Sequence, residues 1–364
     1  MKKILILALI CILITPIFIN TATSHVENNN VILKTQDHKW IVIHDNNEFI
    51  DQATTENWPG NGTENNPYRI EGYTFEVGAE ERACDIFNVD LYFEIRDNII
   101  LGNPQDTAAC VIYLGNCKNV KIINNYVYNG YAGAHLDTCQ NLIIKDNIFT
   151  STNSYYAIET LALINSQIFN NTIITNSNGG IYLNGGYGNL IRNNTITSNV
   201  NEGIFLFRSK NNIIENNIIK KNGMNGISLI NDATNNIIRN NVIFNNNESG
   251  IKIYLNSNNV TIDSNIIYSN MKEGINIGSG VLNTSITNNQ IYLNNNQQNQ
   301  YSDEGINTFF DNNIYIKPIS TTNNNTTIRN SNDQENGSTD SFNFGIFLFS
   351  ISCFSIIIKK RRFS

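Results

Sequence analysis

Apolar residues recur along the chain at fixed distances from a repeated asparagine. An isoleucine or another apolar residue stands three positions before and two positions after each of these asparagines, and consecutive asparagines are 22 to 27 residues apart. The column consists of Asn98, Asn125, Asn147, Asn171, Asn194, Asn217, Asn241, Asn265, Asn289 and Asn313. A period near 23 or 24 residues is typical of a solenoid, in which each repeat packs only on its neighbours.

The residue types in these columns favour short strands over helices. β-branched side chains dominate, and turn-forming Asn and Gly interrupt the pattern every few residues. A further strand is predicted in each coil from units such as Gly180–Leu183 and Gly203–Leu206, whose alternation places Ile and Leu inward. We therefore predict an all-β, single-stranded parallel β-helix of about ten coils over residues 68–318, with coils about 4.8 Å apart.

The repeated asparagine has a structural role in this prediction. Its side chain tolerates the left-handed backbone conformation at a turn, and its amide both donates and accepts hydrogen bonds. We expect the column to form a ladder of amides along the rod.

Both ends of the chain carry segments that predict export and anchoring. Residues 1–24 have the basic, apolar and small-residue regions of a signal peptide, with an uncleaved anchor as the alternative. Residues 342–358 are apolar and uncharged, and the basic residues 359–364 follow, which predicts a single transmembrane helix with a cytoplasmic tail. The Asn-, Thr- and Ser-rich residues 319–341 are typical of a flexible stalk. Cell-membrane localisation with an outward-facing ectodomain follows.

Residues 25–67 are predicted to form an N-terminal cap segment. Asp45 precedes a run in which Phe49, Ile50 and Ala53 give an apolar face, which is the pattern of a capped amphipathic helix. Such a helix would cover the open end of the rod, where backbone and core are otherwise exposed.

The charge of the predicted ectodomain limits its partners. The two terminal segments contain six basic and no acidic residues, so 18 Lys and Arg remain against 31 Asp and Glu, a net charge of −13. Such a surface repels phosphate backbones, and we expect no nucleic-acid partner.

Four cysteines lie in the predicted ectodomain. Cys117 and Cys139 are one repeat apart, and Cys84 and Cys110 fall near equivalent positions. Equivalent cysteines in adjacent coils are within disulfide range, so two disulfides and four buried free thiols are equally open alternatives. On another column, Arg192, Glu215, Arg239 and Asp263 alternate in sign and predict a salt-bridge ladder.

The outward column between inward Ile and Leu residues carries the candidate chemistry. His135 and Glu159 on this column and Asp137, two residues further along the same face, form a carboxylate and imidazole cluster, and Asp137 with Glu159 are the one pair that could act as acid and base in glycoside cleavage. Aromatic residues on the same face suit the apolar faces of sugar rings, and purely structural cross-strand contacts are the alternative. These candidate sugar-binding residues are Tyr182, Phe205, Phe207 and Tyr254.

No cofactor or metal is predicted. The four His and three Met residues are scattered, whereas a copper site needs clustered imidazole or soft ligands.

The repeated Asn-Asn-x-Ile and Gly-Ile-x-Leu units resemble the pectin-lyase-like, right-handed β-helix family, most closely its NosD-like group with carbohydrate-binding and sugar-hydrolysis repeats. The resemblance covers residues 68–316. The segment from Trp58 to Ile70 is similar to one that precedes such repeats in membrane-anchored archaeal surface proteins. This resemblance implies a right-handed coil, and the NosD name implies copper delivery. It does not assign a reaction, because one fold hosts lyases, hydrolases, adhesins and assembly factors.

Three functions remain open from the sequence. The first is a surface-anchored β-helix that binds glycans or belongs to the cell envelope, without catalysis, and whose partner is an envelope or extracellular polysaccharide or glycoprotein. The second is a polysaccharide lyase or glycoside hydrolase that uses His135, Asp137 and Glu159. The third is a copper-handling accessory protein.

Overall fold

The structure, a computed structural model, describes residues 35–78, 81–103, 110–295 and 299–316. The predicted signal peptide, the stalk, the membrane helix at 342–358 and the basic tail lie outside these residues. Within the ranges described, no helix is both long and apolar enough to cross a membrane.

Three parallel sheets run along the rod, and each strand pairs with the equivalent strand of the coil before and the coil after. This arrangement confirms the predicted parallel β-helix, a right-handed solenoid of about ten turns. Each complete coil contributes three short strands, one more than the sequence pattern had indicated.

Sheet 1 has twelve strands among the described residues. They are Gln36–His38, Tyr73–Glu76, Ile99–Leu101, Tyr126–Tyr128, Ile148–Thr150, Thr172–Ile174, Thr195–Thr197, Ile218–Lys220, Val242–Phe244, Ile266–Tyr268, Gln290–Tyr292 and Ile314–Ile316.

Sheet 2 has eleven strands within the same ranges. They are Ile41–Ile43, Cys84–Phe87, Ile112–Gly115, Ala134–Asp137, Ile158–Leu161, Ile181–Asn184, Ile204–Phe207, Ile227–Ile230, Ile251–Tyr254, Ile275–Ile277 and Tyr301–Asp303.

Sheet 3 also has eleven strands in the part of the chain that is described. They are Tyr68–Glu71, Phe93–Arg96, Val120–Ile123, Ile143–Lys145, Gln167–Phe169, Leu190–Arg192, Ile213–Glu215, Ile237–Arg239, Thr261–Asp263, Ser285–Thr287 and Phe309–Asp311. Strands at 36–38 and 41–43 already belong to sheets 1 and 2, so the cap segment contributes to the first coil.

The asparagine column lies at the corner between sheets 3 and 1. The left-handed residue of this corner is the one before each asparagine, for example Asn193 with φ 55° and Asn216 with φ 56°. The expectation that the repeated asparagine itself adopts this conformation is therefore wrong. A tight corner needs one left-handed residue, and the next side chain then points inward, where its amide can bond.

The inward amides form a continuous ladder. Asn217 Nδ2 donates to Asn241 Oδ1 at 3.0 Å and to Ile191 O at 3.0 Å, and Asn217 Oδ1 accepts from Asn194 Nδ2 and from Asn194 N. The same contacts recur from Asn98 to Asn313. Each amide thus satisfies backbone groups that the corner removes from the sheets, and these groups would otherwise be buried without partners.

A second amide ladder, which the sequence pattern had not revealed, occupies the corner after sheet 1. It joins Asn176, Asn199, Asn222, Asn246, Asn270 and Asn294 through Nδ2-to-Oδ1 bonds of 2.8 to 3.0 Å. Inside the corners, the buried core is made of stacked Ile, Leu and Val columns. These columns are the main hydrophobic stabilisation of the rod.

The single described helix, Asn46–Thr55, begins as predicted after Asp45, whose carboxylate accepts from the N–H groups of Asn47 and Glu48. Phe49 is fully buried and its ring lies 4.8 Å from that of Phe93 on sheet 3. Ile50 is not part of the apolar face, because it is 40% exposed.

All four described cysteines are buried free thiols. Of the two alternatives, disulfides or free thiols, the structure therefore shows free thiols. Cys139 Sγ donates to Leu114 O and Asp137 O at 3.3 Å, and Cys117 Sγ makes equivalent contacts. The proposed Cys84–Cys110 pairing fails on register, because Cys84 lies opposite Ile112.

The alternating charge column on sheet 3 contains one direct ion pair. Arg239 contacts Glu215 at 2.7 Å, whereas the Arg192 guanidinium lies 4.4 Å over the ring of Phe169. Asp263 accepts from Thr287 and Asn288. The predicted salt-bridge ladder is therefore not continuous, because Arg192 and Asp263 contact other neighbouring side chains.

Replacing a central ladder amide should destabilise the rod. In Asn217→Ala, the buried N–H of Asn194 and the carbonyl of Ile191 lose their partner, and we expect a loss of about 2–4 kcal/mol. Thermal and denaturant unfolding followed by circular dichroism would measure it. The exposed Asn247→Ala is the matched control, and equal stability of the two variants would contradict the role of the ladder.

Candidate functional site

The outward surface of sheet 2 carries the side chains that the sequence singled out. Strand pairing places one outward column in register as Asp85, Tyr113, His135, Glu159, Tyr182, Phe205, Ser228 and Lys252. A second column, two residues further along each strand, contains Phe87, Gly115, Asp137, Leu161, Asn184, Phe207, Ile230 and Tyr254. We call this surface the sheet 2 face.

The structure brings His135 and Glu159 together on this face. His135 Nδ1 lies 3.3 Å from Glu159 Oε2, and the imidazole stacks on the ring of Tyr113 with centroids 5.2 Å apart. The side chains of His135 and Glu159 are 25% and 12% exposed. The two side chains are therefore within ion-pair distance and can still be reached from solvent.

Asp137 lies on the neighbouring column and has different partners. Its Oδ1 accepts from Thr138 Oγ1 at 2.7 Å, and its Oδ2 lies 3.4 Å from the hydroxyl of Tyr113. Burial, and then the charge of Asp137, raise the pKa of Tyr113 to about 12. Tyr113 is thus a neutral hydrogen-bond donor at ordinary pH.

Of the four predicted aromatic residues, Tyr182 and Phe205 contact each other. Their rings stack with centroids 5.2 Å apart and an angle of 18° between planes. Phe207 and Tyr254 are on the second column and are separated by Ile230. All four are half-buried. Because the stacked rings cover each other's faces, Tyr182 and Phe205 present mainly their edges to a ligand.

Tyr156 extends this aromatic stack in a way that the sequence analysis missed. It lies 5.1 Å from Tyr182 and 6.4 Å from Phe205, measured between ring centroids, and its hydroxyl donates to Glu202 Oε2 at 3.0 Å. A Cβ on Gly179 would lie 2.1 Å from Tyr156 Cε1. The tyrosine therefore passes over the glycine of the next coil to reach the glutamate of the coil beyond.

Further aromatic and charged groups border the sheet 2 face. Tyr131 and Tyr155 lie at the edge that precedes the strands, with ring centroids 4.7 Å apart, and Tyr155 is 38% exposed. Near the N-terminal end, Trp40, Arg82 and Asp85 line a shallow depression. Arg82 lies 4.4 Å over the ring of Tyr113, which connects this depression to the His135 cluster.

Ser228 is an unsatisfied polar residue on the same column. It follows Phe205, is 1% exposed, and its hydroxyl has no hydrogen-bond partner in the described structure. The hydroxyls of Thr160, on the inward side of sheet 2, and of Thr284 are buried and unpartnered in the same way, so this feature is not particular to the sheet 2 face.

The described residues contain no group of three or more His, Cys, Asp or Glu side chains arranged to hold a metal ion.

Residues 109–267 match the family model described as a right handed beta helix region. The match covers less than half of the chain, and with the three parallel sheets it supports the fold that the repeats predicted, a right-handed parallel β-helix. No curated protein matches the sequence.

Solved structures with a similar fold come from several kinds of protein. The mannuronan C-5 epimerase AlgE4 A-module of Azotobacter vinelandii has a TM-score of 0.56 and 18% identity, over 76% of this chain and 94% of that one. The periplasmic alginate epimerase AlgG has a TM-score of 0.52 and 14% identity, over 78% and 85% of the two chains. PfbA, a surface adhesin of Streptococcus pneumoniae, has a TM-score of 0.51 and 13% identity, over 71% and 84%. At these identities the likeness concerns the fold alone.

The buried Tyr156 should make the fold sensitive to alkaline pH. Burial, the charge of Glu202 and the hydrogen bond to Glu202 raise the pKa of Tyr156 above its ordinary value of 10.0. Above about pH 10 the unfolded chain loses this proton while the folded chain keeps it, so stability falls as pH rises.

In Tyr156→Phe this ionisation is absent, and we expect the melting temperature to fall less steeply between about pH 9 and 11.5. Differential scanning calorimetry at several pH values would measure the slope. The exposed Tyr187→Phe is the control, and an unchanged slope in Tyr156→Phe would show that the buried hydroxyl does not contribute.

Proposed function

We propose that this protein is an envelope-anchored β-helix that binds a polysaccharide along its sheet 2 face, without catalysis. The observation that carries the proposal is the stack of the half-buried rings of Tyr182 and Phe205 beside the buried Tyr156, which is bordered by the carboxylates of Glu159 and Glu202. Apolar edges beside hydrogen-bonding groups suit sugars, whose C–H and hydroxyl groups alternate around the ring.

The length of the face suits a chain ligand more than a compact one. Coils about 4.8 Å apart place Tyr113 and Lys252, six coils distant, roughly 29 Å from each other along the axis. A straight row of this length can contact several consecutive sugar units. The proposal is supported by the fact that similar folds occur in proteins named as alginate epimerases and as a surface adhesin.

Anchoring and export are part of the proposal and rest on the sequence. The signal-like residues 1–24 and the apolar residues 342–358 before a basic tail favour a single-pass membrane protein with the β-helix outside the cell. A stalk at 319–341 would hold the sheet 2 face away from the membrane and within reach of envelope glycans.

Removal of the stacked pair should weaken glycan binding. The double variant Tyr182→Ala and Phe205→Ala loses the ring surface, and we expect about ten-fold weaker retention on a glycan array, with polysaccharide length unchanged after incubation. The matched control is Phe244→Ala with Tyr268→Ala, a pair stacked at 4.8 Å on sheet 1. Equal weakening by both double variants would remove the sheet 2 face from consideration.

Polysaccharide cleavage is the second candidate, because one observation favours it. Asp137 and Glu159 are one coil and two residues apart, which puts their Cα atoms roughly 8 Å from each other. Glycosidases use two carboxyl groups that flank the scissile bond, and these two side chains lie on the same outward face. His135 beside Glu159 adds a group that can carry a proton.

If the protein is such an enzyme, Glu159→Gln should abolish product formation. New reducing ends or unsaturated products would appear with the unchanged protein and be lost in this variant, because the amide cannot exchange a proton. Reducing-end assays and absorbance of unsaturated sugars would detect them. Glu76→Gln, on the exposed surface of sheet 1, controls for the lost charge, and absence of any product with the unchanged protein would leave binding as the function.

A further inference from the structure

The outward surface of sheet 1 consists mainly of apolar and aromatic side chains. Nine consecutive strands, from Ile99–Leu101 to Gln290–Tyr292, present two outward columns in register, and we call this surface the sheet 1 stripe. The first column contains Ile99, Tyr126, Ile148, Thr172, Thr195, Ile218, Val242, Ile266 and Gln290. The second contains Leu101, Tyr128, Thr150, Ile174, Thr197, Lys220, Phe244, Tyr268 and Tyr292.

The sheet 1 stripe is depleted of charge. Lys220 is the one charged residue at its eighteen positions, and its ammonium lies 5.6 Å over the ring of Phe244. The eighteen outward positions of sheet 3 in the same coils include eight charged residues: Glu94, Arg96, Lys121, Lys145, Arg192, Glu215, Arg239 and Asp263. Few charges and many aromatic residues are typical of the core of a protein–protein interface.

Large side chains of the sheet 1 stripe are in contact with solvent. Tyr126 is 38% exposed, Ile148 39% and Ile218 42%. Further along the second column, three rings stack with centroids 4.8 and 5.2 Å apart and planes 5° from parallel: those of Phe244, Tyr268 and Tyr292. Monomeric soluble proteins rarely leave a contiguous apolar surface larger than a few hundred Å² uncovered. A partner that covers this surface is therefore expected.

The dimensions of the sheet 1 stripe suit a small interface. Eight coil steps of about 4.8 Å make it roughly 38 Å long, and two columns with their side chains make it about 12 Å wide. A pair of such surfaces offers about 900 Å², below the roughly 1,200–2,000 Å² that stable, specific complexes bury. The contact is therefore weak by itself and reversible.

Charge and periodicity favour a second copy of this chain as the occupant. The predicted ectodomain has 18 basic and 31 acidic residues, so two copies repel each other over most of their surface. The sheet 1 stripe lets them meet over nine coils without bringing like charges together. Two copies also have the same coil spacing of about 4.8 Å, so their side-chain rows match along the whole contact.

We infer that the sheet 1 stripe is a homodimer interface in which two copies lie side by side with their rods parallel. A two-fold axis parallel to the rods places the first column of one copy against the second column of the other, at the same height. Val242 of one copy then packs on Phe244 of the other. Lys220 meets Ile218, and the two lysines are not opposed.

The parallel orientation rests on the anchoring part of the proposed function. Two copies held in one membrane by the same C-terminal segment point in the same direction. The shared membrane also raises their effective concentration, which offsets the small area of the contact. The glycan-binding part of the proposal does not enter, because the sheet 2 face lies on a different side of each rod.

Sedimentation velocity of the full-length protein in mild detergent tests the interface. We expect a reversible monomer–dimer equilibrium in the micromolar range. Ile218→Asp should weaken the dimer about ten-fold or more, because it buries a charge against an apolar partner. Thr172→Glu should do the same without the loss of an apolar side chain. Leu161→Asp, at a position 43% exposed on sheet 2, is the matched control and should dimerise like the unchanged protein.

Cross-linking in the membranes of cells that express the protein tests the orientation. The background carries Cys11→Ser and Cys353→Ser, and the four described cysteines are buried. Single cysteines introduced as Ile148→Cys and Ile266→Cys lie near opposite ends of the sheet 1 stripe. In parallel rods each meets its own copy at the same height, so a bismaleimide should link both into dimers. In antiparallel rods neither would link to itself.

Several outcomes would overturn the inference. They are a monomer at all concentrations, equal weakening by Ile218→Asp and Leu161→Asp, and dimers that do not link at position 148 or 266. Products that join either position to a lipid or to another protein would also overturn it, because the stripe would then have a different occupant. Loss of glycan binding in a protein that still dimerises would overturn only the proposed function.

Discussion

Every coil of this protein depends on its neighbours for its backbone hydrogen bonds. The strands are only three or four residues long, and each pairs in parallel with the strand one coil before and one coil after. No coil could bury its own apolar residues or satisfy its own peptide groups. The corners, where strands end, are stabilised by inward amides such as Asn217, whose side chain bonds to the coils on both sides. Register between coils is thus fixed twice, by the sheets and by the ladders.

This constraint explains how a repetitive rod acquires a particular surface. Residues at equivalent positions are held about 4.8 Å apart, which is close to the spacing of stacked aromatic rings. Tyr182 and Phe205 stack because they are successive members of one column. Tyr156 departs from the repeat: it crosses the coil of Gly179 to reach Glu202, since glycine leaves the space that a Cβ would fill. The features of the sheet 2 face that are not repeated from coil to coil therefore come from residues, such as Tyr156, that depart from the column pattern.

Charge gives the face a further character. Asp137, Glu159 and Glu202 lie around neutral rings, while Arg82 and Arg208 are held against rings themselves. Proteins of similar fold include enzymes named for alginate, an acidic polymer, yet fold likeness at 14% to 18% identity carries no information about charge. The charge of the face is set independently of the fold, because outward side chains contribute little to the core that defines it.

The sequence by itself determined the parallel coils, the amide column and the columns that include His135, Glu159, Tyr182 and Phe205, because identical contacts one coil apart leave a visible period. It also located the helix start at Asp45, where the capping signal is local. Only the tertiary structure decided what the period does not encode. Cys84 and Cys110 are offset because the coil between them is unusually long. Each coil has a third strand because the chain turns a corner at the residue before each repeated asparagine. The hydrogen bond from Tyr156 to Glu202 spans two coils. It depends on the space left by Gly179 in the coil between them, and the sequence of one repeat does not show that contact.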